Sequence, residues 1–228
     1  MNNKKIAIAI DGPAAAGKST VAKKVAQRLS YIYIDTGAMY RALTLKSNEL
    51  NIKFQEEAPL LDLLQQTKID LKQSEDGQLV FMDDREVTSD IRTESVTKNV
   101  SYVAAHPNIR REMVKRQQKL ADGNGVVMDG RDIGTHVLPN AEVKIFLIAS
   151  VEERAKRRYE ENVQKGFPVD LQQLKREIEQ RDQLDSERLT APLIKAEGAI
   201  EIDTTLLSIH EVAEKILSIA ENQSNNGK

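Results

Sequence analysis

The chain contains no cysteine. That excludes a disulfide scaffold, a thiol nucleophile and thiolate zinc sites, and it agrees with a reducing compartment. Neither sign of charge is in excess: 33 Lys and Arg stand against 35 Asp and Glu, for a formal net charge of -2. General nucleic-acid binding draws on a basic surplus that releases counterions, so that class is set aside, while local clusters of cations stay open. No apolar stretch reaches the roughly 20 residues of a membrane span. The N-terminal "MNNKK" runs straight into an apolar segment with no signal-type region. The expected setting is therefore the cytoplasm, with no membrane partner. At 228 residues the chain suits one large domain, or a domain with inserts.

What the sequence does contain begins at residue 6, with "IAIAIDGPAAAGKST". Gly12 to Ser19 fit G-x-x-x-x-G-K-[ST], a turn whose successive backbone N–H groups surround phosphate oxygens. The pattern assigns phosphate binding to Gly12, Pro13, Ala14, Ala15, Ala16, Gly17, Lys18, Ser19 and Thr20. Lys18 neutralises the outer phosphates, the Ser19 hydroxyl suits Mg²⁺, and the following helix turns its positive end to the same anion. A flexible surface loop would carry the same letters by chance, but the flanks argue otherwise. Ile6 to Ile10 form an apolar run of strand length, and Val21, Ala22, Val25, Ala26 and Leu29 share one helical face.

Further apolar runs follow at 31–35 ("YIYID"), 125–130 ("GVVMDG"), 143–149 ("VKIFLIA") and 199–203 ("AIEID"), with helical patterns between them. This alternation predicts an α/β fold with a parallel five-stranded sheet covered by helices on both faces. Ligands of such sheets bind beyond the carboxyl ends of the strands, where "DTGAMYR", "DGRD" and "SVEERAKRR" also fall. Residues 62–92 interrupt the alternation as a β-rich insert, with a hairpin turning at Asp76-Gly77, a third short strand, and an extension through helices up to about 120. The core is read as 1–61 and 93–228. Ser150 with Glu153 and Ser208 with Glu211 mark two helix starts as capping boxes, and 222–228 reads as a disordered tail.

Arginines gather near the strand ends: Arg41, Arg131, Arg181 and Arg188. If 171–188 is helical, Arg181, Asp185 and Arg188 share a face at i, i+4 and i+7. A solvated salt-bridge ladder is one reading, and a cleft for a second phosphate-bearing substrate is the other. Arg154, Arg157 and Arg158 follow a strand at i, i+3 and i+4. They suit either a solvated helix or a lid over about 151–168 that folds onto phosphates, with Gly166 as hinge. Asp129 or Asp35 ends a strand as a metal-binding aspartate would, and a satisfied turn residue would look alike. His106, His136 and His210 have no ligand spacing.

"DGPAAAGKST", "DTGAMYRA", "GRDIGT", "ERAKRR" and "RDQLDSER", in this order over residues 4 to 220, resemble bacterial cytidylate kinases, a family of nucleoside monophosphate kinases. The resemblance implies transfer of phosphate from ATP, with Mg²⁺, to CMP and dCMP by a monomer. It implies that Lys18, Arg131, Arg157 and Arg158 are catalytic, and that Arg41, Arg131 and Arg188 hold the acceptor phosphate. Arg181 and Asp185 would contact the sugar, Ser101, Arg110 and Asp132 would read the base, and Thr36 would also face the acceptor. Other monophosphate acceptors, UMP or AMP, and shikimate-type small-molecule kinases remain alternatives. So does a GTPase-type switch, suggested by "TKID" at 67–70 but contradicted by motif order.

Overall fold

The computed structural model describes residues 5–226, apart from 76, 124, 165 and 167. Five strands, β1 (Ala7–Asp11), β2 (Ile32–Asp35), β6 (Val126–Gly130), β7 (Val143–Ile148) and β8 (Ile200–Asp203), form one parallel sheet in the order β2-β6-β1-β7-β8. A second sheet is antiparallel, with β3 (Ile69–Ser74), β4 (Gly77–Met82) and β5 (Arg85–Glu86) in that order. The helices are α1 (Lys18–Leu29), α2 (Thr36–Glu49), α3 (Glu57–Gln66), α4 (Glu94–Ala105), α5 (Pro107–Ala121), α6 (Val151–Gln164), α7 (Leu171–Glu187) and α8 (Ile209–Asn226).

The sheet strands are apolar along their whole length because both faces are covered. On one side Ile8, Ile10, Ile145 and Leu147 meet the α1 stripe Val21, Ala22, Val25 and Ala26, together with Val212, Ala213 and Ile216 of α8. On the other, Ala9, Ile34 and Met128 pack with Ile133 and Val137, against Val114 and Leu120 of α5. A third cluster joins α2 to α5 with the small sheet through Leu43, Leu60, Val80, Met82 and Met113.

Local chemistry sets the boundaries. Asp35 caps α2, its carboxylate accepting from the Ala38 N–H at 3.0 Å, and Pro107 opens α5 at a position that needs no N–H. The Ser208–Glu211 box closes in both directions, with Glu211 N donating to Ser208 Oγ at 3.2 Å and Ser208 N to Glu211 Oε2 at 2.8 Å. The Ser150–Glu153 box closes in one only: Glu153 N donates to Ser150 Oγ at 3.2 Å, while Ser150 N donates to Thr205 Oγ1 and the Glu153 carboxylate takes Arg157.

Four boundaries differ from the sequence reading. The β-rich stretch covers 69–86, since 62–66 complete α3 and a short 3-10 turn occupies Asp90–Arg92. The β4–β5 hairpin turns on Asp83 and Asp84, both at positive φ (49 and 64), a primed turn that aspartate tolerates; Asp76, expected in the other turn, lies outside the described residues. Helix α7 stops at Glu187 because Arg188 is extended (ψ 141) and its Nε donates to Ala191 O at 2.6 Å. Helix α8 continues to Asn226, into the segment read as a disordered tail, since helical backbone bonding needs no apolar side chain; 227 and 228 lie outside the described residues.

Candidate active site

The loop after β1 has the conformation its glycines permit. At Gly12 (φ 146) a Cβ would stand 2.2 Å from the Leu147 carbonyl oxygen on β7, so no other residue fits. Gly17 (φ 84) turns the chain into α1. Lys18 is buried at the first position of that helix, its Nζ donating to Pro13 O at 2.6 Å. Burial first, and then the charge of Arg131, push its pKa well below the ordinary lysine value, while Asp129 pulls the other way.

Next to the loop, Ser19 Oγ donates to Asp129 Oδ2 at 2.9 Å and the Tyr33 hydroxyl to Oδ1 at 2.8 Å. Burial, with the charge of Asp35 second, pushes Asp129 up to about 6. Asp35 is already engaged, at its cap and with Arg92 Nη2 3.2 Å from Oδ2. No group of three or more His, Cys, Asp or Glu side chains arranged to hold a metal occurs among the described residues.

A cleft of about 1300 Å³ runs past the carboxyl ends of all five sheet strands. Residues 14–20, Asp35, Thr36, Arg41, Ser101, Arg110, Asp129, Arg131, Asp132, Arg157, Arg158, Arg181, Asp185 and Arg188 all line it. Among the residues expected at the site, Gly12, Pro13 and Arg154 do not line it.

In the cleft, carboxylates hold the arginines apart. Asp185 receives Arg131 Nε at 3.0 Å on Oδ2 and Ser101 Oγ at 3.3 Å on Oδ1, with Arg188 Nη1 3.9 Å away. Burial raises its pKa, but Arg131, Arg181 and Arg188 outweigh that and leave it below the usual carboxylate range. Arg110 and Asp132 form a buried ion pair, with the Arg110 guanidinium 5.4 Å from the Tyr40 ring centre. Burial and mutual repulsion push Arg41 down to about 9, and Arg181 and Arg188 to about 10. Cations crowded to this degree favour an anion among them. Arg41 meanwhile donates to Thr97 Oγ1 at 2.9 Å and Ile91 O at 3.2 Å. The Thr36 hydroxyl donates to the Asp129 carbonyl at 2.8 Å, so it braces β6 as well as lining the cleft.

A family model described as cytidylate kinase matches residues 8–222. The chain belongs to the cytidylate kinase family. Two relatives named cytidylate kinase are 64% identical over 220 residues (Anoxybacillus flavithermus; 96% of this chain, 98% of the relative) and 63% identical over 221 residues (Bacillus subtilis strain 168; 97% and 99%). A crystal structure of an uncharacterized protein from Eubacterium ventriosum is 14% identical, with a TM-score of 0.52 over 96% of this chain and 99% of its own, which reflects the shared fold. As a member of the cytidylate kinase family, the chain is an ATP-dependent nucleoside monophosphate kinase. The GTPase-type switch is not favoured: residues 67–70 do not line the cleft, the Thr67 hydroxyl donates to Leu63 O at 2.6 Å, and Lys68 pairs with Asp70 and Asp84.

Of the three arginines on α6, the structure brings two to the cleft of this cytidylate kinase family member. Arg157 donates to Thr204 Oγ1 and O at 3.1 and 2.6 Å, and Arg158 Nη1 to Glu161 at 3.1 Å. Arg154, expected beside them, is buried against the main chain. Sequence reasoning also passed over Asp11 and Tyr40. The Asp11 carboxylate accepts from Ile133 N and Gly134 N, each at 2.8 Å, and so fastens "GRDIGT" to β1. Tyr40 lies four residues after Thr36 on α2 and so shares its face, and that spacing is the signal the sequence offers for it. The histidines take ordinary partners: His106 Nε2 meets Phe54 O at 2.8 Å, His136 Nδ1 meets Thr135 Oγ1 at 2.9 Å, and His210 stands 3.6 Å from Glu214.

Proposed function

We infer that this chain transfers the γ-phosphoryl group of ATP to CMP, giving ADP and CDP, with dCMP as a second acceptor. The observation that carries the reading is one cleft holding a glycine phosphate loop and, facing the same space, Arg41, the set Arg131, Arg181 and Arg188 around Asp185, and the buried Arg110–Asp132 pair. The loop N–H groups and Lys18 bind the donor phosphates, and those phosphates add negative charge beside buried Lys18. Arg41, Arg131 and Arg188 hold the acceptor phosphate, and Arg181 and Asp185 meet its sugar. An anionic oxygen of that phosphate attacks the γ-phosphorus as the bond to the β-bridging oxygen breaks, so no general base is needed. Arg131, Arg157 and Arg158 neutralise charge spread over the transferring oxygens.

The Ser19 hydroxyl and Asp129 carboxylate, 2.9 Å apart, fit Mg²⁺, which is commonly held by one or two protein oxygens plus substrate phosphates. When bound, the ion would neutralise phosphate charge. Asp35, committed to its cap and to Arg92, fits that role less well. The reading takes 62–92 as the acceptor-binding insert and about 151–168 as a lid. It also takes the protein to act as a cytoplasmic monomer on small molecules, which the near-balanced charge supports over nucleic acid.

Asp132 decides between pyrimidines. Its carboxylate accepts from the cytosine amino group, with Ser101 and Arg110 donating to the base acceptors, whereas uracil offers a carbonyl oxygen at that position. The uracil carbonyl facing that carboxylate would be a buried polar group left without a donor, which costs about 1–3 kcal/mol, so CMP should exceed UMP by at least roughly tenfold in kcat/KM. ADP release measured with CMP, UMP and AMP tests this, and Asp132→Ala should lose CMP activity and compress the ratio. Equal use of CMP and UMP by the wild type would remove the chemical support for the assignment.

A further inference from the structure

The phosphate loop is held from outside as well as from within. Besides the Lys18 bond to Pro13 O, the Thr204 hydroxyl reaches Ala16 O at 3.5 Å, and between them Ala14 O accepts from Arg154 Nη1 at 3.2 Å. The Ala14–Ala15 peptide is planar and trans, so holding that carbonyl also fixes the Ala15 N–H, which points the opposite way. Ala15 itself sits at φ 58, a left-handed conformation unfavourable for a residue with a side chain, and so needs its surroundings to keep it there.

Arg154 is only 4% exposed, and its other two nitrogens are also engaged. Nε donates to Ala149 O, beyond β7, at 3.0 Å, and Nη2 pairs with Asp182 Oδ2 on α7 at 2.6 Å. Asp182 is adjacent to Arg181 and three residues before Asp185, both of which line the cleft. Neither Arg154 nor Asp182 lines it. One rigid guanidinium thus joins a strand end, the phosphate loop and the helix that carries acceptor-side groups. Two apolar side chains could hold these elements together as strongly, but without fixing their direction.

We propose that Arg154 and Asp182 form a positioning pair that registers α7, with Arg181 and Asp185, against the phosphate loop. The proposal rests on the phosphotransfer reading above. The pair touches no reacting atom; it keeps the donor and acceptor phosphates in line, a geometry in which a displacement of about 1 Å is enough to cost about a hundredfold in rate.

The test is a double-mutant cycle with kcat, the KM values for ATP and CMP, and the thermal midpoint read for each protein. Arg154→Ala and Asp182→Ala should each lower kcat by roughly tenfold to a hundredfold, with KM for CMP within about threefold of wild type. The double variant should be no worse than either single one, because either removal breaks the same link. Asp182→Asn, which keeps an oxygen acceptor for the guanidinium, should restore part of kcat. Arg154→Lys, which keeps the charge without the fork, should not, and these two conservative variants decide the matter if the alanine variants do not fold. Losses that multiply in the double variant, an effect on KM alone, or a wild-type kcat in Arg154→Lys would overturn the pair while the wild type still turns over with CMP. A wild type with no CMP-dependent turnover would overturn the phosphotransfer reading and the pair with it.

Discussion

Asp11 ends β1 as a buried carboxylate whose oxygens take two backbone N–H groups, yet burial outweighs those bonds and pushes its pKa from 3.8 up to about 6. A carboxyl whose folded pKa is raised contributes stability that is fully present below the unfolded value and is lost as pH rises through the folded one. Unfolding by urea at pH 5 and pH 7.5 should therefore show the wild type losing about 1 kcal/mol relative to Asp11→Asn on going to the higher pH. A difference between the two proteins that does not change with pH would show that Asp11 titrates normally. The same competition acts with the opposite outcome at Asp185, where three arginines outweigh burial and keep the carboxylate ionised.

Helix α6 divides its three arginines by depth. Spacing put Arg154, Arg157 and Arg158 on one face, but only the packing of α6 on α7 decides that Arg154 is covered and bonded to main chain while Arg158 stays about one-third exposed. Arg157 Nη1 would lie 3.9 Å from a Cβ at Gly17, which brings it to the mouth of the phosphate loop. Replacing Arg157 and Arg158 together with alanine should lower kcat by at least roughly tenfold while KM for CMP stays within about threefold, the signature of groups felt mainly in the transition state. Steady-state kinetics with both substrates varied would measure this. An unchanged kcat would return both side chains to a solvated surface role.

Across the whole molecule, the small sheet is fastened to the large one through polar groups near the cleft: Asp35 N donates to Gln78 Oε1 at 3.0 Å, and Gln73 Nε2 donates to Tyr33 O at 2.8 Å. Acceptor binding in the cleft would draw together groups from α2, α4, α5, β6 and α7, elements spread over most of the chain. Binding energy should therefore appear as global stability. CMP at about 100 times its dissociation constant should raise the unfolding free energy by about 2.7 kcal/mol. UMP at the same concentration should add much less, as read by denaturant titration. Equal stabilisation by both nucleotides would mean that the base is not read in the binary complex.

The phosphate loop, the strand succession and the family motifs are legible in the sequence because each is written in residue types at short fixed spacings: Gly12 and Gly17 ahead of Lys18 and Ser19, apolar runs of strand length, cap residues at helix starts. Tertiary structure alone decided what depends on pairing across the chain. Nothing within reach of Asp11 in sequence foretells bonds to Ile133 and Gly134, more than 120 residues away. Nor does the spacing of Arg154 reveal that it turns to Ala14 and Asp182 rather than to the cleft. The end of α7 at Glu187 has the same origin: helical periodicity continues through Arg188, while its bond to Ala191 O turns the chain away. Local patterns record which conformations a segment can adopt, and the burial of charge, which depends on every element packed around it, selects the partner each charge takes.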